Sequence, residues 1–169
     1  MIRSLFLVGL VTFAAVCAYA QPAAEVYCNP FDRADTIMDF GVTLEWSPTT
    51  RTFVVENTGA TTIGILETNP QADPYYLIIN VPGVPPEDPR KEEFERVERL
   101  PYYIPAGAKR TFSVIYRAIA GNPLFPPDRV VEALLKLRVV DSLDPLGASL
   151  DKTFRLRALK TTSILGSTT

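Results

Sequence analysis

All 15 prolines of the chain lie after residue 20. Each removes a backbone donor and clashes with a preceding helical turn, so at this density long helices have little room. The prolines gather in turn-like clusters, among them Pro82-Gly83-Val84-Pro85-Pro86, Asn122-Pro123 and Pro126-Pro127. Between the clusters lie short runs in which apolar and polar side chains alternate, the period of a strand with one buried face.

Four runs carry that period clearly. In Thr52-Phe53-Val54-Val55-Glu56-Asn57, Phe53 and Val55 share a face; in Arg110-Thr111-Phe112-Ser113-Val114-Ile115-Tyr116 the inward set is Phe112, Val114 and Tyr116. Leu135-Lys136-Leu137-Arg138-Val139 and Phe154-Arg155-Leu156-Arg157-Ala158 alternate without a slip. Residues 36–40, 42–46, 62–66 and 75–81 are weaker candidates. Together they predict an all-β chain, a single antiparallel sandwich of about seven to eight strands. The one helical candidate is 87–100, where Phe94, Val97 and Leu100 are spaced by three, but Pro86, Pro89 and Pro101 fence it in and a charged connection fits equally.

The first 20 residues read as a cleaved secretory signal: Arg3, an apolar run from Leu5 to Ala18, and small residues at Ala18 and Ala20 before Gln21. The run is shorter than the roughly 20 residues that span hydrocarbon. The expected organisation is a signal at 1–20, an N-terminal extension at 21–35, one sandwich domain at 36–160 and a flexible tail at 161–169. The expected location is secreted or periplasmic, with no membrane-integral state after cleavage. Cleavage also removes Cys17, leaving Cys28 unable to form an intramolecular disulfide. Cys28 then reads as a small hydrophobe near a terminus, with pairing to another chain left open.

The chain has no histidine, which removes Ser-His-Asp and Cys-His nucleophile arrangements and every imidazole-dependent zinc site. With 17 basic and 19 acidic side chains and no basic block, nothing draws it to nucleic acid. Paired acids for glycoside hydrolysis have candidates in Glu45 beside Trp46 and in Glu92-Glu93-Glu95, but nothing marks a pair as buried, and they read as solvated charges. Asp32-Arg33-Ala34-Asp35 and Asp141-Ser142-Leu143-Asp144 lack the ligand density of a calcium loop and read as turns. The expectation is therefore a non-enzyme with no cofactor and no metal. Asn57-Thr58-Gly59 and Pro105-Ala106-Gly107 are expected to be structural turns, with Asn57, Thr58, Gly59, Pro105 and Gly107 the residues that define them. A sugar-binding alternative rests on Trp46 and the Tyr75-Tyr76 and Tyr102-Tyr103 pairs, which fit core packing equally well.

Several short motifs resemble a known family. Asp39-Phe40-Gly41-Val42 is similar to the opening strand of the immunoglobulin-like domains of the abnormal-spindle/Hydin/VesB type, relatives of the major sperm protein and PapD-like folds. Thr52 to Gly59 is similar to their TF-V-NTG motif, and Ile104 to Val114 to their I-PG-TFTV motif. The resemblance covers about residues 36–160, departing after Tyr116 and at the proline-rich loop 82–89. It implies an immunoglobulin-like sandwich that binds or scaffolds protein; the physical mode expected is strand addition at a sheet edge, with loops 83–90 and 121–128 as a second surface. A single-domain PapD-like periplasmic assembly chaperone is the alternative it also implies.

Overall fold

The computed structural model describes residues 21–65, 77–80, 93–96, 100–122 and 127–162. Ten strands follow in order: β1 (Ala24–Tyr27), β2 (Ile37–Leu44), β3 (Thr49–Asn57), β4 (Ile63–Ile65), β5 (Leu77–Asn80), β6 (Phe94–Arg96), β7 (Tyr102–Ile104), β8 (Lys109–Tyr116), β9 (Arg129–Asp141) and β10 (Asp144–Thr161). One sheet has the order β1-β3-β8-β6; the other runs β2-β10-β9-β4-β7, with β5 also paired to β9. The two sheets form an immunoglobulin-like sandwich.

The alternating runs lie where the period places them. Phe53 and Val55 of β3, Phe112, Val114 and Tyr116 of β8, Leu135, Leu137 and Val139 of β9, and Phe154, Leu156 and Ala158 of β10 are all buried between the sheets. Phe53 and Phe112, register partners across β3 and β8, stack with centroids 5.2 Å apart, and Phe154 of the opposite sheet closes to 5.5 Å of Phe53. A second aromatic group joins Phe40, Phe94 and Tyr116, with Phe94 4.6 Å from Tyr116. Offset and tilted aromatic pairs of this kind contribute about 0.5–1.5 kcal/mol beyond the area they bury.

Four features depart from the sequence reading. Segment 21–35, expected to be an extension, contributes β1, whose four residues pair with β3 from Ala24↔Asn57 to Tyr27↔Val54. The two candidates at 36–40 and 42–46 form one strand, because Gly41 takes a positive φ of 71° and a bulge there carries β2 through. The candidate helix at 87–100 contains β6 instead: Phe94 is buried against Phe40 and Tyr116, and the strand pairs with β8; residues 87–92 and 97–99 lie outside the described residues. Finally, the sandwich is not wholly antiparallel. A tight turn, with the Ser47 N–H donating to the Leu44 carbonyl at 3.0 Å, sends β3 into the opposite sheet from β2. β2 then lies beside the last strand, β10, and runs parallel to it.

Candidate functional site

The structure brings the two sequence-predicted turns together around one buried side chain. Asn57, 1% exposed, donates from Nδ2 to the carbonyls of Thr61 (2.8 Å) and Ile104 (2.9 Å), while its Oδ1 accepts from the Gly59 N–H at 3.0 Å. Its backbone N–H donates to Ala108 and its carbonyl accepts from Gly107, which holds a φ of 71°. The Thr58 N–H reaches the Ala23 carbonyl, and the Pro105 carbonyl accepts from Ala108. Thr58, Pro105 and Gly107 are on the surface. The junction thus ties β1, β3, β7 and β8 at one end of the sandwich, and every side-chain atom of Asn57 able to hydrogen-bond is engaged inside the protein.

A second buried polar cluster lies beside the Phe40-Phe94-Tyr116 group. Lys160, at the end of β10, and Glu93, just before β6, are both fully buried, with Nζ 3.0 Å from Glu93 Oε1. Nζ also donates to the Ile119 carbonyl, and Glu45 Oε1 lies 4.0 Å away. Glu93 Oε2 accepts from the Tyr116 hydroxyl and Oε1 from the Ile119 N–H, each at 3.0 Å. Burial, and next the Glu93 carboxylate, push the Tyr116 phenol far above its ordinary range, so it remains a donor. Glu93 is therefore not the solvated charge expected from the Glu92-Glu93-Glu95 run, although Glu95 is: it is exposed and pairs with Arg117 at 3.3 Å. Among the described residues both charged groups are enclosed, and their bonds tie β10, the residue before β6 and the segment that follows β8.

The remaining candidates are dispersed. Trp46 is 73% exposed in the β2–β3 turn; Tyr102 packs edge-on against Phe112 with the Arg110 guanidinium 3.9 Å from its centroid, and Tyr103 is exposed. β2 and β7 occupy opposite edges of the larger sheet, which separates Trp46 from the Tyr102-Tyr103 pair; Tyr75 and Tyr76 lie outside the described residues. Cys28 is half-buried against the core, its Sγ 3.5 Å from the Asp35 carbonyl, and burial followed by the Asp35 charge pushes its thiol up, away from the reactive thiolate. Asp32 Oδ1 accepts from Ala34 N–H and Asp141 Oδ1 from Leu143 N–H, both as turn contacts.

The sheet edges differ in a way the sequence did not reveal. The Arg155 N–H donates to the Thr36 carbonyl, which sets residues 36, 38 and 40 facing β10 and residues 37, 39 and 41 facing outward. Side chains occupy that outward row: Asp35 Oδ1 takes the Ile37 N–H (2.9 Å), Cys28 Sγ approaches the Ile37 carbonyl (3.6 Å), Arg51 Nε donates to the Asp39 carbonyl (2.7 Å), and Asp39 Oδ1 takes the Gly41 N–H (2.7 Å). From Ile37 to Gly41 the edge of β2 is closed by its own chain, a common guard against unwanted pairing; past the bulge, where the Glu45 N–H bonds the Thr161 carbonyl, Val42 faces outward. On β1 the Thr58-to-Ala23 bond fixes the opposite parity, with Glu25 and Tyr27 bonded to β3 and the N–H and C=O of Ala24 and Val26 pointing away from the sheet. Among the described residues, nothing is bonded to those outward groups.

No family model matches the chain, and no curated protein is a significant match. Solved structures do match its fold. The ASH/PapD-like domain of human CEP192 (PapD-like domain 7) is similar at a TM-score of 0.56 and 12% identity, covering 96% of this chain and 99% of that one. The complex of Salmonella enterica SafA pilin with the SafB chaperone matches at 0.55 and 13% identity over 88% of this chain and 59% of that one. The E. coli chaperone DraB matches at 0.52 and 10% identity over 87% and 58%. This chain has the PapD-like immunoglobulin-like fold. It spans under two thirds of the length of the chaperones it matches. Among the described residues, no helix is long and apolar enough to cross a membrane.

Proposed function

We propose that this chain is an exported, non-catalytic module of the cell envelope or exterior that binds protein by accepting an extended segment on the edge of β1. The contrast between the two edges carries the reading: from Ile37 to Gly41 β2 is occupied by side chains, whereas both outward residues of β1, Ala24 and Val26, keep their backbone groups open along the strand. Backbone pairing supplies affinity in this mode and flanking side chains supply selectivity. The leader-like residues 1–20 support export, and the motif resemblance to abnormal-spindle/Hydin/VesB-type domains supports a binding or scaffolding role.

The test uses a photo-crosslinking residue at Glu25, exposed on β1, with a control at Tyr103, exposed on β7. A discrete protein adduct from native envelopes at Glu25, lost on Ala24→Pro, is the expected result. Ala24→Pro removes an outward N–H without breaking a bond to β3. An adduct that survives Ala24→Pro, or one formed only at Tyr103, refutes the edge.

A second reading, a single-domain periplasmic assembly chaperone, is favoured by the fold shared with DraB and with SafB, the latter solved with a pilin. Suppression of client aggregation at stoichiometric ratio distinguishes it from a stable scaffold.

A further inference from the structure

We propose that a second copy of this chain docks face to face on the outer surface of β9 and β10. The outer face at one end of the larger sheet carries an apolar row that the monomer leaves wet. Leu159 of β10 lies in register with Val42 of β2 on one side and Val130 of β9 on the other, and the three are 36%, 63% and 46% exposed. Scattered apolar residues on a surface are ordinary, but three in register on adjacent strands form one contiguous patch. The next row is charged, with Arg157 between Asp39 and Glu132, whose carboxylate also lies 4.0 Å from Arg155 of its own copy; further along the seam, Arg138 pairs with Asp151 at 2.7 Å.

This order of charges selects the occupant and its orientation. A two-fold axis parallel to the strands along the β9–β10 seam keeps every row level and sets β10 of one copy over β9 of the other. Leu159 then meets Val130 of the second copy, Arg157 meets Glu132, and Asp151 meets Arg138, each contact made twice by symmetry. Moving the axis onto β10 would place Arg157 against Arg157 and Asp39 against Glu132, which like charges disfavour. Aligned sheet-on-sheet packing needs only a modest twist between the two faces. The patch is small, so the association belongs with weak, concentration-dependent interfaces. It leaves β1 free, since that edge belongs to the other sheet, and it stands independently of the strand-addition reading.

Sedimentation of the purified chain over a wide concentration series tests the inference. A reversible monomer–dimer equilibrium is expected. Leu159→Glu should weaken it by roughly tenfold or more, the equivalent of about 1.4 kcal/mol. Glu132→Arg and Arg157→Glu should each weaken it, and the double exchange should restore it. Thermal melts of the variants separate lost docking from lost folding. A chain that is monomeric throughout the series overturns the proposal, as does a dimer indifferent to these substitutions in folded protein.

Discussion

Lys160→Met tests the buried cluster at its centre. Both charged groups are fully buried and 3.0 Å apart, and removing the ammonium leaves the Glu93 carboxylate in the core with the Tyr116 hydroxyl and the Ile119 N–H as its partners among the described residues. Stripping one member from a buried pair costs about 3–5 kcal/mol, far more than the pair's net worth, because the remaining charge is uncompensated. At about 2–4 °C per kcal/mol for a chain of this size, the melting temperature falls by roughly 6–20 °C. Adding Glu93→Leu should recover part of the loss, since an apolar replacement of the whole pair is often near neutral. The Tyr116 hydroxyl then lacks its acceptor, a penalty of about 1–3 kcal/mol that Tyr116→Phe should relieve in the triple variant. Urea denaturation followed by near-ultraviolet circular dichroism measures each step. If Lys160→Met shifts stability by no more than about 0.5 kcal/mol, the value of an ordinary surface change, Lys160 is not buried against Glu93.

Three further outcomes follow from the geometry. Trp46→Gly should raise stability by about 1 kcal/mol in chemical denaturation, because Trp46 holds a φ of 67° while largely exposed, a conformation that costs an L-residue about 1–2 kcal/mol; a loss instead would mean the indole packs more than its exposure implies. Asn57→Ala should cost about 2–4 kcal/mol, since it strands the Thr61 and Ile104 carbonyls and the Gly59 N–H around a buried site; a loss below about 1 kcal/mol would mean water replaces the amide. Acid should erode stability: the Leu143 N–H and the Thr61 hydroxyl hold Asp141 below its usual range, and the Arg138 guanidinium does the same for Asp151. A lowered folded value means a contribution present above the unfolded pKa of about 3.9 and lost as pH falls through the folded one, so Asp141→Asn should flatten the decline below about pH 4.

The sandwich was legible because burial on one face writes itself as period two, and the one competing helical run, 87–100, is fenced by Pro86, Pro89 and Pro101. The same period held the clue to Lys160: Phe154, Leu156 and Ala158 face inward, and the next residue of that parity is Lys160. Its charge concealed it, as the neighbouring acids concealed Glu93, because pairing across 67 residues leaves no local trace. β1 and β6 are too short to show a period. The turns at Asn57 and Gly107 were visible from their chemistry, but not that one asparagine joins them, which depends on β3 and β8 lying side by side. Edge protection at β2 was equally hidden, since Asp35, Asp39 and Arg51 become caps only after strand parity is fixed.

The most direct test of the binding account is amide hydrogen exchange across β1 and β2 in the native protein, resolved residue by residue by nuclear magnetic resonance. With Glu25 and Tyr27 bonded to β3 and Ala24 and Val26 directed outward, the account predicts slow exchange at the first pair and fast exchange at the second. On β2, the capped amides of Ile37 and Gly41 should exchange more slowly than Ala24 and Val26. Ala24 and Val26 amides as protected as those of Glu25 and Tyr27 would mean that the edge is already covered, and would contradict strand addition at β1.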